Sequence, residues 1–161
     1  MKKRMPILVH IDANRINAKN KSDAMNKLEK WHEDGVIILE MSRTAQEEAA
    51  KGSKNRRRKA YGLIFTETVA NTAEEQKVIR SIEMILFPNG IKNQNEKNDV
   101  DIVFNAYKYA DILVTADGGS KRQPGGILGN AEALLKHGLK IMSDYDAVAY
   151  IEKLITRKCQ S

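Results

Sequence analysis

Residues Ile7–Ile11 have the sequence ILVHI and are followed directly by Asp12. A short apolar run that is partly β-branched is typical of a buried strand. Similar runs return at residues 36–39 (VIIL), 112–115 (ILVT) and 139–142 (LKIM), and amphipathic segments separate them. Strands that alternate with helices favour a parallel sheet covered by helices on both faces. We therefore predict an α/β fold, a three-layer α/β/α sandwich around a central, mostly parallel sheet.

Helical periodicity and capping residues mark the segments between these strands. The spacing predicts helices over residues 22–34, 44–51, 74–86, 99–110, 130–137 and 147–155, and a further strand over residues 61–65. The glycine-rich loop, residues 118–129, holds five of the ten glycines but lacks both the P-loop pattern and the dinucleotide-binding pattern. No internal repeat or linker interrupts the chain, so we expect one domain over residues 1–161.

The composition excludes several classes of protein. With 161 residues, 42% hydrophobic and 30% charged, the chain has the size and balance of one globular domain. Its aliphatic runs are too short to span a bilayer, and His10 and Asp12 interrupt the first run too early for a secretion signal. Cys159 is the single cysteine, which excludes an internal disulfide and a cysteine-built zinc site. We expect a cytoplasmic protein without membrane contact.

The net charge of +6 comes from one stretch, residues 51–59 (KGSKNRRRK), called here the basic segment. It holds six cationic side chains and no acid, while the rest of the chain carries 21 charged residues of each sign. Clustered lysine and arginine neutralise successive phosphates, so the segment is a candidate nucleic-acid surface. The simpler interpretation is a solvated loop, because basic runs are common on surfaces. Its candidate phosphate contacts are Lys54, Arg56, Arg57, Arg58 and Lys59.

Two acids follow predicted strands. Asp12 comes directly after the strand over residues 7–11, and Asp117 comes two residues after the strand over residues 112–115. Ligand sites of open parallel sheets form at the carboxyl ends of the strands, which places both acids at the functional edge. The alternative is that each acid caps the helix or turn that follows it.

Helical geometry separates the acids within two predicted helices. Asp99 projects onto the side of the apolar stripe, whereas Asp101 projects nearly opposite and should be a solvated surface acid. A buried acid costs several kcal/mol without compensation. A helix N-terminus offsets only about 0.3–1 kcal/mol, and a metal ion would offset more. By the same projection Glu48 lies beside the stripe of its helix and Glu47 points away, but this stripe is short and mostly alanine, so Glu47 stays an alternative to Glu48.

These residues resemble the PIN-domain nucleases. The resemblance is carried by residues 7–14 (ILVHIDAN), residues 44–52, and above all residues 98–117 (NDVDIVFNAYKYADILVTAD). It implies a site of four metal-binding carboxylates, formed by Asp12, Glu48, Asp99 and Asp117. The stretch from the basic segment to residue 86 and the long glycine-rich loop depart from the pattern. An alignment with the related NYN nucleases would favour Asp101 over Asp99.

Both resemblances imply cleavage of nucleic acid, more specifically of single-stranded RNA. A ligand set made only of oxygen suits Mg²⁺ or Mn²⁺, which can orient a phosphodiester and activate a water for its hydrolysis. The basic segment would hold the RNA backbone, and Lys121 and Arg122 could close over it.

Two other functions fit the same residues. One is a non-catalytic nucleic-acid-binding module, and the other is a toxin that an inhibitory partner protein silences. A phosphatase ranks last, because Asn14 stands where that chemistry needs a second aspartate. Self-association into a homo-oligomer is also left open.

Overall fold

In the computed structural model, which describes residues 5–121 and 123–160, five parallel strands form one sheet in the order β3-β2-β1-β4-β5. The strands are β1 (Ile7–Ile11), β2 (Ile37–Ser42), β3 (Ile64–Thr66), β4 (Ile112–Val114) and β5 (Lys140–Met142). Helices flank the sheet, so the predicted three-layer α/β/α architecture is confirmed.

The helices are α1 (Asp23–Glu33), α2 (Arg43–Ala50), α3 (Lys54–Tyr61), α4 (Ala73–Leu86), α5 (Gln94–Tyr109), α6 (Gly126–Gly129), α7 (Ala131–Leu134) and α8 (Asp144–Cys159). Short 3-10 turns cover Ala13–Arg15 and Leu135–His137. Helix α1 packs against α8, while α4 packs against α5, which also contacts β2 and β4. No helix in the described part of the chain is long and apolar enough to cross a membrane.

The core lies at the centre of the sheet. Val9 of β1 pairs in register with Leu39 of β2 and Ile112 of β4, and all three side chains are buried. His10 is also buried, and its Nε2 lies 3.1 Å from Glu40 Oε2. His10 is thus a hydrogen-bonded histidine of the core. Burial lowers the pKa of His10 to about 4, so its ring is neutral at pH 7.

The order of the strands creates a crevice. From β1 the chain adds β2 and β3 on one side, and it then returns to place β4 on the other side of β1. The order reverses between β1 and β4, and ligands of open α/β sheets bind at the carboxyl ends of the two strands at that point. The Asp12 N–H donates to the carbonyl of Val114 at 2.9 Å, just where the two strands end.

Several elements differ from the predictions, and α8, for example, covers Asp144–Cys159 rather than residues 147–155. Helix α5 begins at Gln94 rather than at residue 99, because Asn93 caps it by accepting from the N–H of Glu96. Asp99 therefore lies in the second turn, where the positive end of the helix dipole stabilises a negative charge less than it does in the first turn. The basic segment is not a loop, since most of it forms α3, with Ser53 as the capping residue. The strand expected over residues 61–65 is Ile64–Thr66, at the sheet edge.

Candidate functional site

The four predicted acids converge at the crevice between β1 and β4. An open cleft of about 380 Å³ is lined by Asp12, Ala13, Asn14, Glu48, Arg56, Asp99 and Asp117. The acids come from four places in the fold: the end of β1, helix α2, helix α5 and the loop after β4. Residues up to 105 positions apart in the sequence thus share one surface, which we call the acidic cleft.

Asp12 is fixed by its neighbours. Its Oδ1 accepts from the Ala13 N–H at 2.6 Å, and its Oδ2 accepts from the Thr115 hydroxyl at 2.8 Å. The residue is only 5% exposed. Burial raises its pKa to about 6 despite these hydrogen bonds, and the charges of Glu48 and Asp117 raise it further. Asp12 therefore both caps a 3-10 turn and faces the cleft.

Asp99 has the more perturbed carboxyl group. Burial raises its pKa to about 7, and the charges of Asp12, Asp117 and Glu48 add to the increase. Gln123 lies beside Asp99 and opposes part of this shift. The charges of these carboxylates thus act on one another, and each opposes the ionisation of its neighbours.

Asp117 organises the glycine-rich loop. Its Oδ1 accepts from the Gly119 N–H and its Oδ2 from the Ile127 N–H, each at 3.0 Å. Gly126 has a φ of +58°, and a Cβ there would lie 2.7 Å from Asp117 Oδ1. The loop can wrap this carboxylate because glycine occupies that position. Asp117 thus caps a turn, and it also lines the acidic cleft.

The helical projection separates the alternative acids. Glu48 lines the cleft and accepts from the Asn98 amide at 2.8 Å, whereas Glu47 is exposed and pairs with Arg43. Asp101 is not among the residues that line the cleft. The prediction that it is a solvated surface acid is wrong, because it is half-buried and accepts from the hydroxyl of Thr44. Helix α2 packs against α5 and covers Asp101, a contact that a single-helix projection does not contain.

Part of the basic segment binds the protein itself. Arg56 donates to the carbonyls of Ala13 at 2.6 Å and Ala49 at 3.1 Å, and Arg57 donates to that of Ala50 at 3.1 Å. Two of these carbonyls end helix α2, where cations are favourable. These side chains are therefore not on a loop, although Arg57 remains exposed.

Lys59 is also engaged. Its ammonium group donates to the carbonyl of Asn17 at 2.7 Å and pairs with Glu29 at 2.8 Å. Lys54 and Arg58 are exposed and remain open to a ligand. Lys121 lines a neighbouring groove with Lys92 rather than the acidic cleft, and Arg122 lies outside the described residues.

The acidic cleft has a donor set that fits a hard divalent cation. All four predicted ligands are carboxylates, and among the described residues none of them forms an ion pair with lysine or arginine. In the same part of the chain, however, no three His, Cys, Asp or Glu side chains are arranged to hold a metal ion together. Each carboxylate instead turns to a local partner, as Glu48 turns to Asn98. Metal binding at this cleft therefore requires side-chain rearrangement.

Sequence reasoning missed Thr115, Asn98 and Gln123, which contact three of the four acids. The sequence did contain a pointer to Thr115, because this residue stands at the end of a buried strand, just before one of the two acids that follow strands. No protein-family model matches the sequence and no curated protein matches it, so its function has to be argued from the site itself.

Proposed function

We propose that this protein is a metal-dependent phosphodiesterase that cleaves nucleic acid, specifically single-stranded RNA. The observation that carries the proposal is the acidic cleft: four carboxylates at the point where the strand order reverses, without a cationic partner among the described residues. The shifts of Asp12 and Asp99 indicate that the cleft is short of positive charge. Arg56 lines the cleft but donates to backbone carbonyls, so it does not fill this need.

The four carboxylates of the cleft are supported in two different ways. Asp12 and Asp117 are held by backbone N–H groups and form the fixed wall of the cleft. Asp99 and Glu48 approach from helices and each contacts one neutral amide side chain. When bound by these carboxylates, Mg²⁺ or Mn²⁺ supplies an acidified water and offsets charge on the phosphate and the leaving oxygen. Without a cation, Asp99 holds a proton near neutral pH, which relieves part of the repulsion.

The substrate class rests on charge and on the family resemblance. Helix α3 places Arg56 at the cleft and presents the exposed cations Lys54 and Arg58 to solvent. A polyanion that follows α3 can therefore approach the carboxylates with its charge partly neutralised. RNA rather than DNA is what the resemblance to PIN-domain nucleases implies.

The test is cleavage of a fluorescent single-stranded RNA in Mn²⁺ and in chelator, with the parent protein and two matched variants. Asp99→Asn and Asp101→Asn make the same chemical change two residues apart on α5, but only Asp99 lines the cleft. Loss of a residue behind a metal ligand costs about 10–100-fold, so Asp99→Asn should lower the rate at least about 100-fold. Asp101→Asn should stay close to the parent. Metal-independent cleavage, or equal loss in both variants, would contradict the proposal.

A second candidate is a non-catalytic RNA-binding module. It is favoured by the local hydrogen bonds of the carboxylates, which leave no three of them arranged around a metal among the described residues. In this case the parent would bind RNA equally well in Mn²⁺ and in chelator and would cleave it in neither. Arg58→Ala would then weaken binding, whereas Asp99→Asn would not.

A further inference from the structure

A second cavity, larger than the acidic cleft, lies between helices α1 and α3. Its volume is about 520 Å³, compared with about 380 Å³ for the cleft, which is in the range of small-molecule sites. We call it the side cavity, and its polar walls are formed by Glu29, His32 and Glu33 of α1 and by Asn55, Arg58 and Lys59 of α3. Buried and half-buried apolar side chains, Ala18, Leu39 and Leu63, complete the lining.

The charges of the side cavity balance. Lys59 pairs with Glu29 at 2.8 Å and also donates to Asn20 Oδ1 at 2.8 Å, so its ammonium group is committed to the protein. Arg58 and Glu33 are exposed, carry opposite charges and form no ion pair with any described residue. Two cations and two acids thus line one cavity, which favours a neutral ligand over an anion or a cation.

Several hydrogen-bonding groups of the side cavity are free in the described part of the chain. His32 Nδ1 accepts from the Leu39 N–H at 3.0 Å, which assigns the proton of the neutral ring to Nε2. That N–H, the Asn55 amide and the Glu33 carboxylate form no hydrogen bond with a described residue. The side cavity therefore offers apolar contacts together with both donors and acceptors, which suits a polar ring without charge.

Helix α3 joins the side cavity to the acidic cleft. Arg56 lines the cleft, whereas its neighbour Asn55 lines the side cavity, and consecutive Cα atoms lie only about 3.8 Å apart. Residues 55, 58, 59 and 62 share one face of the helix, so the cavity runs along α3 from its first turn to its end. A strand of nucleic acid that covers the first turn of α3 can therefore contact both sites.

We propose that the side cavity holds one nucleobase of the RNA strand that is bound at the acidic cleft. The inference rests on the proposed function, and it adds base recognition to that site. Unpaired bases are recognised when they turn out of the strand and form hydrogen bonds through their edges, which carry both donors and acceptors. His32, Glu33 and Asn55 supply the complementary groups, and Arg58 at the same cavity contacts a phosphate of the backbone.

The experiment compares two fluorescein-labelled single strands with equal numbers of phosphates, one of mixed RNA sequence and one abasic at every position. Ca²⁺ replaces Mn²⁺ in the titrations, and gels confirm that the strands stay intact. The quantity measured is the base ratio, the Kd of the abasic strand divided by the Kd of the strand with bases. The parent should have a base ratio of at least about 10, which corresponds to about 1.4 kcal/mol.

Two variants remove groups of the side cavity at exposed positions. Asn55→Ala should lower the base ratio about 2–10-fold, the effect of one neutral hydrogen bond. Glu33→Ala should lower it at least as much, because hydrogen bonds to a charged acceptor are stronger. Loss of the Glu33 charge acts on the phosphates of both strands alike, so it leaves the ratio unaffected. Both variants should melt at the temperature of the parent.

Two controls make the base ratio specific. Arg58→Ala should weaken both strands by the same factor, because it removes a contact to phosphate. Asn95→Ala matches Asn55→Ala, since each asparagine is the exposed second residue of its helix, but Asn95 does not line the side cavity. It should leave the base ratio unchanged. The inference is wrong if neither Asn55→Ala nor Glu33→Ala lowers the ratio, or if Asn95→Ala lowers it as much.

The two proposals can fail separately. If the parent cleaves RNA with Mn²⁺ but binds both strands equally, only the assignment of the side cavity is wrong. If the parent does not cleave RNA and the two variants still lower the base ratio, the proposed hydrolysis is wrong and the side cavity remains a base-binding site. If the parent neither binds nor cleaves RNA, both proposals are wrong.

Discussion

The acidic cleft and the basic segment are both clusters of like charge, but the fold treats them differently. Asp12 and Asp99 have raised pKa values and no cationic partner among the described residues. In the basic segment, by contrast, Arg56 and Arg57 donate to helix-end carbonyls, and Lys59 pairs with Glu29. The carboxylates of the cleft have no ion pair among the described residues, whereas three of the six cations of the segment bind partners within the chain.

This difference changes how a charge run should be interpreted. A cluster whose charges are satisfied within the chain mainly supports the architecture, since its side chains are already committed. A cluster whose charges remain unsatisfied costs stability unless a ligand supplies the opposite charge. The basic segment is the more conspicuous feature in the sequence, yet the cleft carries the stronger functional argument.

The largest expected effect concerns metal binding and stability. Mn²⁺ at a hundredfold excess over its Kd should stabilise the parent by about 2.7 kcal/mol, or roughly 5–10 °C in Tm. Asp99→Asn should lose most of this increment, and without metal it should melt higher than the parent because repulsion is relieved. Asp101→Asn keeps an acceptor oxygen for the Thr44 hydroxyl, so it should melt close to the parent without metal and should keep the metal increment. Thermal melts with and without Mn²⁺ test all three.

Asp117→Asn is a less informative variant for that experiment. In the parent, the two carboxylate oxygens of Asp117 accept from two backbone N–H groups. Asparagine has only one acceptor oxygen, so this variant loses a hydrogen bond in addition to the negative charge. A lower Tm in this variant would not separate a metal site from a cap. A parent that shows no metal increment, together with an Asp99→Asn variant that melts lower, would remove the basis for the metal site.

The second effect is a pH dependence of stability. Burial and neighbouring acids raise the pKa of Asp99 from 3.8 to about 7, so the folded state binds its proton more tightly than the unfolded state does. The free energy of unfolding of the parent, relative to Asp99→Asn, should therefore fall as pH rises from about 4 to about 7. Because Asp99 is only partly buried, we expect a fall of about 2 kcal/mol.

The comparison with Asp99→Asn is needed because the titration of His10 changes the stability of the protein in the opposite direction. Its pKa falls from 6.5 to about 4 on burial, so its contribution makes stability rise with pH over that interval. The difference between parent and variant cancels this contribution. Urea unfolding of both proteins at several pH values measures the difference in their free energies of unfolding. A difference that is flat or rises with pH would contradict the charge repulsion proposed for the cleft.

A smaller effect should separate the two parts of the basic segment. Arg56→Ala removes charged hydrogen bonds to two backbone carbonyls and should destabilise the protein by about 1.5 kcal/mol. Arg58→Ala removes an exposed side chain and should change stability by less than about 0.5 kcal/mol. Urea midpoints compare the two variants. Equal destabilisation would show that the compensated and uncompensated parts of the segment do not differ.

The smallest effect is on the salt dependence of RNA binding. Each lost phosphate contact to a single strand should lower the slope of log K against log salt by about 0.7. Arg58→Ala and Lys54→Ala should each change the slope, whereas Arg57→Ala should change it less because its guanidinium is bound to Ala50. Titrations of a single-stranded RNA at several salt concentrations measure the slopes. Unchanged slopes for the two exposed residues would remove the segment from the proposed interface.

The sequence by itself determined the layers and the placement of the acids. Apolar runs gave the strands, and helical spacing assigned Asp99 and Glu48, rather than Asp101 and Glu47, to the side that lines the cleft. These features follow from local periodicity, which the fold preserves because an apolar stripe must be buried. The start of α5 could not be predicted from the apolar spacing, because the capping residue Asn93 sets it.

Only the tertiary structure decided the strand order, the partners of the basic segment and the burial of Asp101. Arg56 meets Ala13, 43 positions away, and Asp101 meets Thr44, 57 positions away. No periodicity encodes such contacts, since they depend on which helices pack together.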